Sequence, residues 1–368
     1  MRSVTLWVDL PLAGVAAEDG RQMLDAVRLI VSQASFRVGN IGVEVRASDD
    51  ADPATGHSDP TRCSAGAARA AADRTAIAVI GTYESACTEL AEPTLSAAGL
   101  ALVSPVNTDP GLSSGPPVPR RTLILLAPSD ALQGTAAAAE ARSLGAHRLF
   151  VLRGRSARAA SMRTALVAAA PANGVAIVGG ATSPADAAAA AAIVVRLHAL
   201  HADAVWIGAA SGPGVVALLR ALEPRTARAR ALKQIALIGS DELYRDGLVR
   251  AAGNAAENLH VTSAFVPPEA LGGAGADFTH AFARRFGEPG PYAVYAADAA
   301  RLVLAALRRS NGTRAGVMRA LRRTRTYGGL IGTLAIEPDG TSSLARIAVL
   351  RVHDGAFQLE RVLDLAGR

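Results

Sequence analysis

The stretch AIAVIGTYESA, residues 76–86, sets a short apolar run, a turn and the start of an alanine-rich segment side by side. The run at 76–80 is too uniformly apolar for a strand with one face in water, and such runs are typical of strands buried on both faces in a parallel sheet. The turn ends at Ser85, and the segment after it predicts a helix over residues 86–98. A buried strand that leads directly into a helix is the first half of a βαβ unit.

The same alternation continues in both directions along the 368-residue chain, of which 50% is hydrophobic. Further apolar runs predict strands at 4–9, 42–47, 100–103, 122–126, 148–152, 174–178, 203–207, 234–238 and 259–263. Helices are expected at about 64–73, 277–286 and 292–310. An earlier helix starts with Asp19 and Gln22, which together resemble a capping box. Repeated βαβ units at this length predict an α/β protein with two doubly wound open sheets.

The formal net charge of +6 raises the question of a nucleic-acid or anionic-membrane partner. The arginines are scattered along the chain, and aromatic residues make up only 4% of it, too few for base stacking. We therefore interpret the charge as a solvated arginine-rich surface and expect no nucleic-acid partner. No apolar run reaches the roughly 20 residues of a membrane span, and residues 4–8 read as a strand rather than a signal peptide.

Patterns of enzymes and metal sites are weak in this sequence. The chain has no Gly-x-Ser-x-Gly elbow and no Gly-x-Gly-x-x-Gly fingerprint after a predicted strand. His198 and His201 lie three residues apart in a helical stretch without accompanying cysteines or carboxylates, which favours a solvated helix face over zinc. The sequence therefore predicts a protein that is not an enzyme and carries no cofactor and no metal.

Short motifs follow the predicted strands in a fixed order. They are Leu10-Pro11-Leu12-Ala13-Gly14, Ser48-Asp49-Asp50, Val79-Ile80-Gly81-Thr82-Tyr83-Glu84-Ser85, Ala98-Gly99-Leu100-Ala101-Leu102-Val103-Ser104-Pro105, Thr108-Asp109-Pro110 and Tyr295-Ala296-Ala297-Asp298-Ala299. Over nearly the whole chain, their order and spacing resemble the type I periplasmic binding proteins of the leucine/isoleucine/valine-binding class. The resemblance implies two α/β lobes joined by three crossovers, with the ligand in the cleft between them.

Carried onto this chain, the resemblance implies crossovers near Pro128, Ala264 and Gly332. Lobe 1 would then comprise residues 1–127 and 265–331, and lobe 2 would comprise residues 128–264 and 332–368.

The function implied by the resemblance is that of an extracytoplasmic solute-binding protein, a monomer that delivers a small polar metabolite to the membrane permease of an ABC importer. The ligand would be an amino acid or a related carboxylate, and the native export signal would lie outside this sequence. A ligand-sensing domain of a receptor or regulator with the same fold is the alternative. An enzyme that uses the cleft would need a convergent acid, base or nucleophile set, which the sequence does not display.

Candidate ligand residues in lobe 1 follow two successive strands. Ligands of open α/β sheets bind beyond the carboxyl ends of the strands, where helix N-termini present unpaired N–H groups. Ser85 has such a position, and both Ser85 and Thr108 match family residues that hold the ligand carboxylate. Val106 and Asn107 match neighbours that contribute backbone groups. The alternatives are a plain N-cap for Ser85 and an ordinary turn residue for Thr108.

In lobe 2, Asp241 matches the family acid that pairs with the ammonium of an amino-acid ligand, and the alternative is a helix cap. Three family tyrosines are replaced: near Arg158, near Ala210 and, in the first loop, by Asp19. Arg158 would favour a second anionic group on the ligand, unless it lies on a solvated helix face. Tyr292 would line the cleft or pack at a hinge.

The two cysteines, Cys63 and Cys87, stand at or near the starts of successive helices that should lie side by side. The resembling family often has a disulfide in this region, although at shifted positions. The sequence leaves the bond itself open but predicts that the two cysteines lie close enough to form it, with Cα atoms within about 7 Å of one another. A disulfide would fit an oxidising compartment.

Overall fold

The computed structural model describes residues 2–115, 120–223 and 234–366. The described helices are α1 (Ala17–Gln33), α2 (Pro60–Ala72), α3 (Ser85–Ala97), α4 (Gly111–Ser114), α5 (Asp130–Ser143), α6 (Ala157–Ala169), α7 (Ala187–Ala199), α8 (Pro213–Leu222), α9 (Asp246–Ala252), α10 (Ala274–Phe286), α11 (Pro291–Arg308) and α12 (Arg314–Arg322). The described strands are β1 (Ser3–Leu10), β2 (Arg37–Val38), β3 (Ile41–Asp49), β4 (Ala76–Gly81), β5 (Ala101–Ser104), β6 (Leu123–Leu125), β7 (Arg148–Arg153), β8 (Ala176–Thr182), β9 (Ala204–Gly208), β10 (Ala236–Ser240), β11 (Leu259–Ser263), β12 (Tyr327–Gly328), β13 (Thr333–Leu334), β14 (Arg346–His353) and β15 (Ala356–Asp364).

The chain divides into two compact units and passes from one to the other at three places. Unit 1 contains Met1–Ala127 and Phe265–Leu344, and unit 2 contains Pro128–Ala264 and Ala345–Arg368. The third passage lies at Leu344, later than the Gly332 that the resemblance implied. Backbone hydrogen bonds keep the intervening segment with unit 1: the Leu125 N–H donates to the Gly340 carbonyl at 2.9 Å, and the Ser342 N–H donates to the Leu125 carbonyl at 2.8 Å.

Unit 1 is built on a six-stranded sheet with the order β2-β3-β1-β4-β5-β6. The strands from β3 to β6 are parallel, and the short β2 is an antiparallel edge. Val79 of β4 belongs to an apolar cluster with Ala67 of α2 and Leu95 of α3. Its neighbour Ile80, which must point to the other face, is also fully buried. Both faces of the sheet are therefore covered, which explains the uninterrupted apolar run at 76–80.

Unit 2 has a seven-stranded sheet with the order β15-β14-β11-β10-β9-β7-β8. The strands from β7 to β11 are parallel, and the hairpin of β14 and β15 extends the sheet in antiparallel fashion. Phe150 and its neighbour Val151 belong to different apolar clusters, the second shared with Trp206, so this sheet is also covered on both faces. Hydrophobic burial on two faces of two sheets is the main source of stability for the fold.

Each strand predicted from the sequence corresponds to a strand of the structure, and the fold class of two doubly wound α/β units is confirmed. The hairpin of β14 and β15 was not predicted. Among the described helices, none combines the length and the apolar content that crossing a bilayer would take.

Candidate functional site

Two loops meet at the carboxyl edge of the unit 1 sheet because they follow the neighbouring parallel strands β4 and β5. Asn107 joins them. Its Nδ2 donates to the backbone carbonyls of Thr82 at 3.2 Å and Tyr83 at 2.9 Å, and its Oδ1 accepts from the Thr88 hydroxyl at 2.5 Å. These hydrogen bonds engage the side chain of Asn107 in holding the two loops together. Asn107 would therefore contact a ligand through its backbone groups.

Ser85 is the first residue of α3, and Glu84 occupies the N-cap position without a side-chain hydrogen bond to the helix. Ser85 is thus not the N-cap, which was its alternative interpretation. In the neighbouring loop, Thr108 and Val106 are buried, and Asp109 rather than Thr108 accepts the N–H of Gly111 that forms the turn. The start of α3 and the Thr108 loop together offer N–H and hydroxyl donors next to a helix N-terminus, an arrangement suited to a carboxylate.

The carboxylate of Glu84 is held by the preceding loop. The Ser58 hydroxyl donates to it at 2.5 Å and the Ser58 N–H at 3.2 Å, while Nδ1 of His57 lies 3.0 Å from its other oxygen. Burial on its own would raise the pKa of Glu84, but these hydrogen bonds lower it below its ordinary value. Glu84 is therefore a fixed anion whose hydrogen bonds anchor the start of α3 to the loop after β3.

A disulfide between Cys63 and Cys87 joins α2 to α3, with Cα atoms 5.4 Å apart. The predicted proximity of the two cysteines is confirmed. Oδ2 of Asp50 lies 3.6 Å from the sulfur of Cys87, and Asp50 is only 1% exposed. Burial and the nearby carboxyl of Asp9 raise the pKa of Asp50 to about 8, and burial raises the pKa of Asp9 to about 6. At neutral pH this edge is less negative than the motif Ser48-Asp49-Asp50 suggests.

An aromatic group adjoins the Ser85 loop. The ring of Tyr292, near the start of α11, packs edge-on against Tyr83 and Phe265, with centroid distances of 5.5 and 4.7 Å. The Tyr83 hydroxyl donates to Asp19 at 2.8 Å. Tyr292 thus packs against the residue that begins the second segment of unit 1, and it also adjoins the candidate ligand loop.

Two expectations about the first helix were wrong. Asp19 was placed in the first loop, but it lies in the first turn of α1, which begins at Ala17 and has Ala16 as an N-cap without a side-chain hydrogen bond. The capping box does not form either, since Gln22 accepts the N–H of Gly290 at 2.7 Å.

Three charged side chains meet near the carboxyl edge of the unit 2 sheet. Arg158, near the start of α6, places Nη2 at 2.6 Å from Oδ2 of Asp241 and Nε at 3.0 Å from Oδ1 of Asp130. Asp241 begins a short 3-10 turn after β10 and does not cap it, and the residue is 7% exposed. Arg158 therefore lies in an acidic pair rather than on a solvated helix face. The group contains two carboxylates and one guanidinium.

Another acceptor of this group is Oδ1 of Asp241, which is buried and makes no hydrogen bond within residues 2–115, 120–223 and 234–366. Buried polar atoms nearly always have a partner, so this oxygen is suited to a ligand N–H. Ala210 lies in the loop after β9 with its residue exposed. It supplies no polar side chain.

Sequence reasoning missed Tyr83 and Asp130 as members of these groups. Tyr83 lies two residues before Ser85 in the motif Val79-Ile80-Gly81-Thr82-Tyr83-Glu84-Ser85, and this position could have indicated that it lies near the candidate ligand loop. Asp130 is the first residue of α5, and no local pattern relates it to Asp241, which lies more than a hundred residues later.

The described side chains contain two groups with the residue types of metal sites. Asp50, Cys63 and Cys87 form one group, but both sulfurs are committed to the disulfide. Glu140, His260 and Glu360 form the other, in unit 2.

Two doubly wound α/β units, each with polar groups at the carboxyl edge of its sheet, define a class of ligand-binding proteins that use such edges. The comparison with family models agrees, because the model described as periplasmic binding protein matches residues 8–356. The chain belongs to this family. No curated protein matched the chain in a sequence comparison.

Solved structures have the same fold over nearly the entire chain. The leucine-binding protein LivK of Thermotoga maritima aligns with a TM-score of 0.75 and 22% identity, covering 98% of this chain and 99% of its own. A substrate-binding protein of an ABC transporter from Desulfitobacterium hafniense, in complex with Leu, aligns at 0.80 and 22%, covering 97% and 100%. A solute-binding protein from R. palustris, in complex with 4-hydroxybenzoate, aligns at 0.76 and 16%, covering 98% and 96%. At these identities the likeness shows the fold.

Proposed function

We propose that the protein is the solute-binding component of an ABC importer and that it binds a small carboxylate, most favourably an amino acid. The observation that carries the proposal is the paired loop edge of unit 1. There, Ser85 at the start of α3 and Thr108 in the next loop offer hydroxyl and N–H donors, and Asn107 fixes the two loops to each other. A helix N-terminus with such donors stabilises a carboxylate through its dipole and its unpaired N–H groups.

The preference for an amino acid is supported by unit 2. There, the buried carboxylate oxygen Oδ1 of Asp241 lacks a hydrogen bond within the described residues, next to the contact of Arg158 with Oδ2. A ligand ammonium would donate a hydrogen bond to this oxygen, and hydrogen bonds to charged groups are among the stronger ones in proteins. The Desulfitobacterium relative was solved with Leu bound.

A second candidate ligand is an aromatic or other acid without an amino group. It is favoured by one observation, the 2.6 Å contact in which Arg158 already occupies Oδ2 of Asp241. In this alternative the guanidinium of Arg158, rather than Asp241, directs the choice of ligand. The R. palustris relative was solved with 4-hydroxybenzoate.

A thermal-shift screen with leucine, isoleucine, benzoate and 4-hydroxybenzoate, followed by calorimetric titration of the best compound, tests the proposal. A ligand that binds only the native state raises the melting temperature. Ser85→Ala should weaken binding roughly 10- to 100-fold by removing a charge-assisted hydrogen bond. The matched control is Ser64→Ala on the exposed surface of α2, which should bind like the parent. The proposal is contradicted if Ser85→Ala and Ser64→Ala weaken ligand binding equally. It is also contradicted if no amino acid or aromatic acid binds.

The importer role, the extracytoplasmic location and the monomeric state are parts of the same proposal. They are tested by fractionating the native cells and by sizing the purified protein. Recovery outside the cytoplasmic membrane as a monomer supports a transport receptor. Recovery as part of a larger membrane-embedded polypeptide supports the alternative, a ligand-sensing domain.

A further inference from the structure

Three metal-ligating side chains meet inside unit 2, apart from the strand ends described above. Glu140 comes from α5, His260 from β11 and Glu360 from β15. Nδ1 of His260 lies 2.9 Å from Oε1 of Glu140 and 3.0 Å from Oε2 of Glu360. His260 is opposite Ile238, three residues before Asp241, so the cluster lies roughly 10 Å along the strand direction from that residue.

The central atoms of this cluster are buried and in contact, but they are not joined by hydrogen bonds. His260 is 5% exposed and Glu140 is 0% exposed. Within the part of the chain that the structure describes, neither Nδ1 of His260 nor Oε1 of Glu140 makes a hydrogen bond, although they are in contact. Buried polar atoms rarely lack a hydrogen bond, because removing such an atom from water without a partner is destabilising. A cation placed among the three side chains would satisfy both atoms.

A β-bulge directs Glu360 toward the cluster. In the β14–β15 hairpin, Val349 is opposite Arg361 and the next residue, Leu350, is opposite Leu359, so Glu360 is the extra residue of the bulge. A regular strand would point residues 360 and 361 to opposite faces. Here both reach toward α5, since Glu360 contacts His260 and Arg361 contacts Glu140. Bulges are frequent next to functional sites because they re-aim a side chain in this way.

The formal charges of the cluster favour the binding of a cation. The guanidinium of Arg361 contacts Oε2 of Glu140 and also the Ser143 hydroxyl, at 2.6 Å. Its Nη1 also lies 3.6 Å from Oε2 of Glu360, so one arginine is shared between the two carboxylates. With a neutral imidazole, the two carboxylates exceed the one guanidinium by one formal negative charge, which a bound cation would balance.

We propose that Glu140, His260 and Glu360 bind a divalent transition-metal ion such as Zn²⁺. Imidazole nitrogen and carboxylate oxygen are ordinary zinc ligands, and three protein ligands leave a position for water. An ion can reach the site from solvent, because Glu360 is 31% exposed and both it and His260 line a cavity of about 810 Å³ in unit 2. The sequence predicted no metal, so this proposal goes beyond what the sequence indicated.

Calorimetric titration of the metal-free protein with zinc chloride tests the proposal, together with the melting temperature in the presence of zinc. We expect one saturable site, a higher melting temperature, and more than tenfold weaker binding in Glu360→Gln. Glu360 lies on the half-exposed edge strand β15, so this variant should fold. Magnesium chloride should not bind comparably, since Mg²⁺ prefers all-oxygen, near-octahedral sites.

The matched control is His353→Ala. His353 forms a His–Glu pair with Glu257, 3.0 Å apart, on the exposed surface of the same unit, and its loss should leave the zinc site unchanged. Absence of saturable zinc binding by the parent would overturn the proposal. So would zinc binding and a thermal shift that survive undiminished in both Glu360→Gln and His260→Gln, and the cluster would then be an ion-pair network around a protonated histidine.

Discussion

Replacing Asp50 with asparagine should change how the stability of the protein depends on pH. Burial and the carboxyl of Asp9 raise the pKa of Asp50 to about 8, against 3.8 as the ordinary value. The unfolded chain releases this proton near pH 4 and the native state only near pH 8, so between these values only the native state holds it and the stability of the parent falls as the pH rises. One proton of difference amounts to about 1.4 kcal/mol per pH unit.

The asparagine side chain resembles the protonated acid at every pH. The variant therefore lacks the pH dependence of stability that the titration of Asp50 causes. Near pH 7 the free energy of unfolding of the parent should fall more steeply with pH than that of the variant. The two slopes should differ by about 1.4 kcal/mol per pH unit. It should also gain stability over the parent as the pH approaches 8. Urea denaturation at half-unit steps from pH 5 to pH 8 measures both slopes.

Asp52→Asn is the control for this experiment. A backbone hydrogen bond from Ala54 lowers the pKa of Asp52 below its ordinary value, so Asp52 does not titrate between pH 5 and pH 8. Its slope should equal that of the parent. If Asp50→Asn also has the slope of the parent in this range, the buried neutral carboxyl does not exist and the reasoning is refuted.

Three further changes have expected outcomes. Replacing Cys63 and Cys87 with serine opens a cross-link of sequence separation 24 and should cost about 3 kcal/mol, read as a lower melting temperature by scanning calorimetry; an unchanged melting temperature would contradict the bond. Arg314→Met removes donors to the backbone carbonyls of residues 71, 73, 76 and 98 and should destabilise unit 1 by about 3 kcal/mol in urea, whereas the exposed Arg308→Met should be neutral. Asp241→Ala should weaken an amino-acid ligand by about two to three orders of magnitude in calorimetry, and undiminished affinity would exclude an ammonium at that oxygen.

The strands could be predicted because burial on both faces imposes an apolar run on each of them, as at 76–80. The hairpin of β14 and β15 was missed, although its turn carries the Asp354-Gly355 pair that favours such hairpins. Both residues have positive φ, 51° and 74°, as a tight two-residue turn requires. The alternation in these strands is incomplete, which made the signal weak.

The site could be predicted only in part. Ser85 and Thr108 follow adjacent strands, so strand order alone brings their loops together. The contacts of Arg158 with Asp130 and Asp241 join residues 28 and 83 positions apart, which no local pattern encodes. The start of α1 was misplaced because Ala16 gives no capping signal, and Asp19 entered the helix instead.

The central claim, that unit 1 binds the carboxylate of a small ligand, is tested most directly by changing the ligand instead of the protein. Calorimetric titration of the parent with the best acid from the screen and with its primary amide compares the two at constant protein. The account predicts that the amide binds at least 100-fold more weakly, since it lacks the charge that the start of α3 stabilises. Equal affinity for the acid and the amide would contradict it.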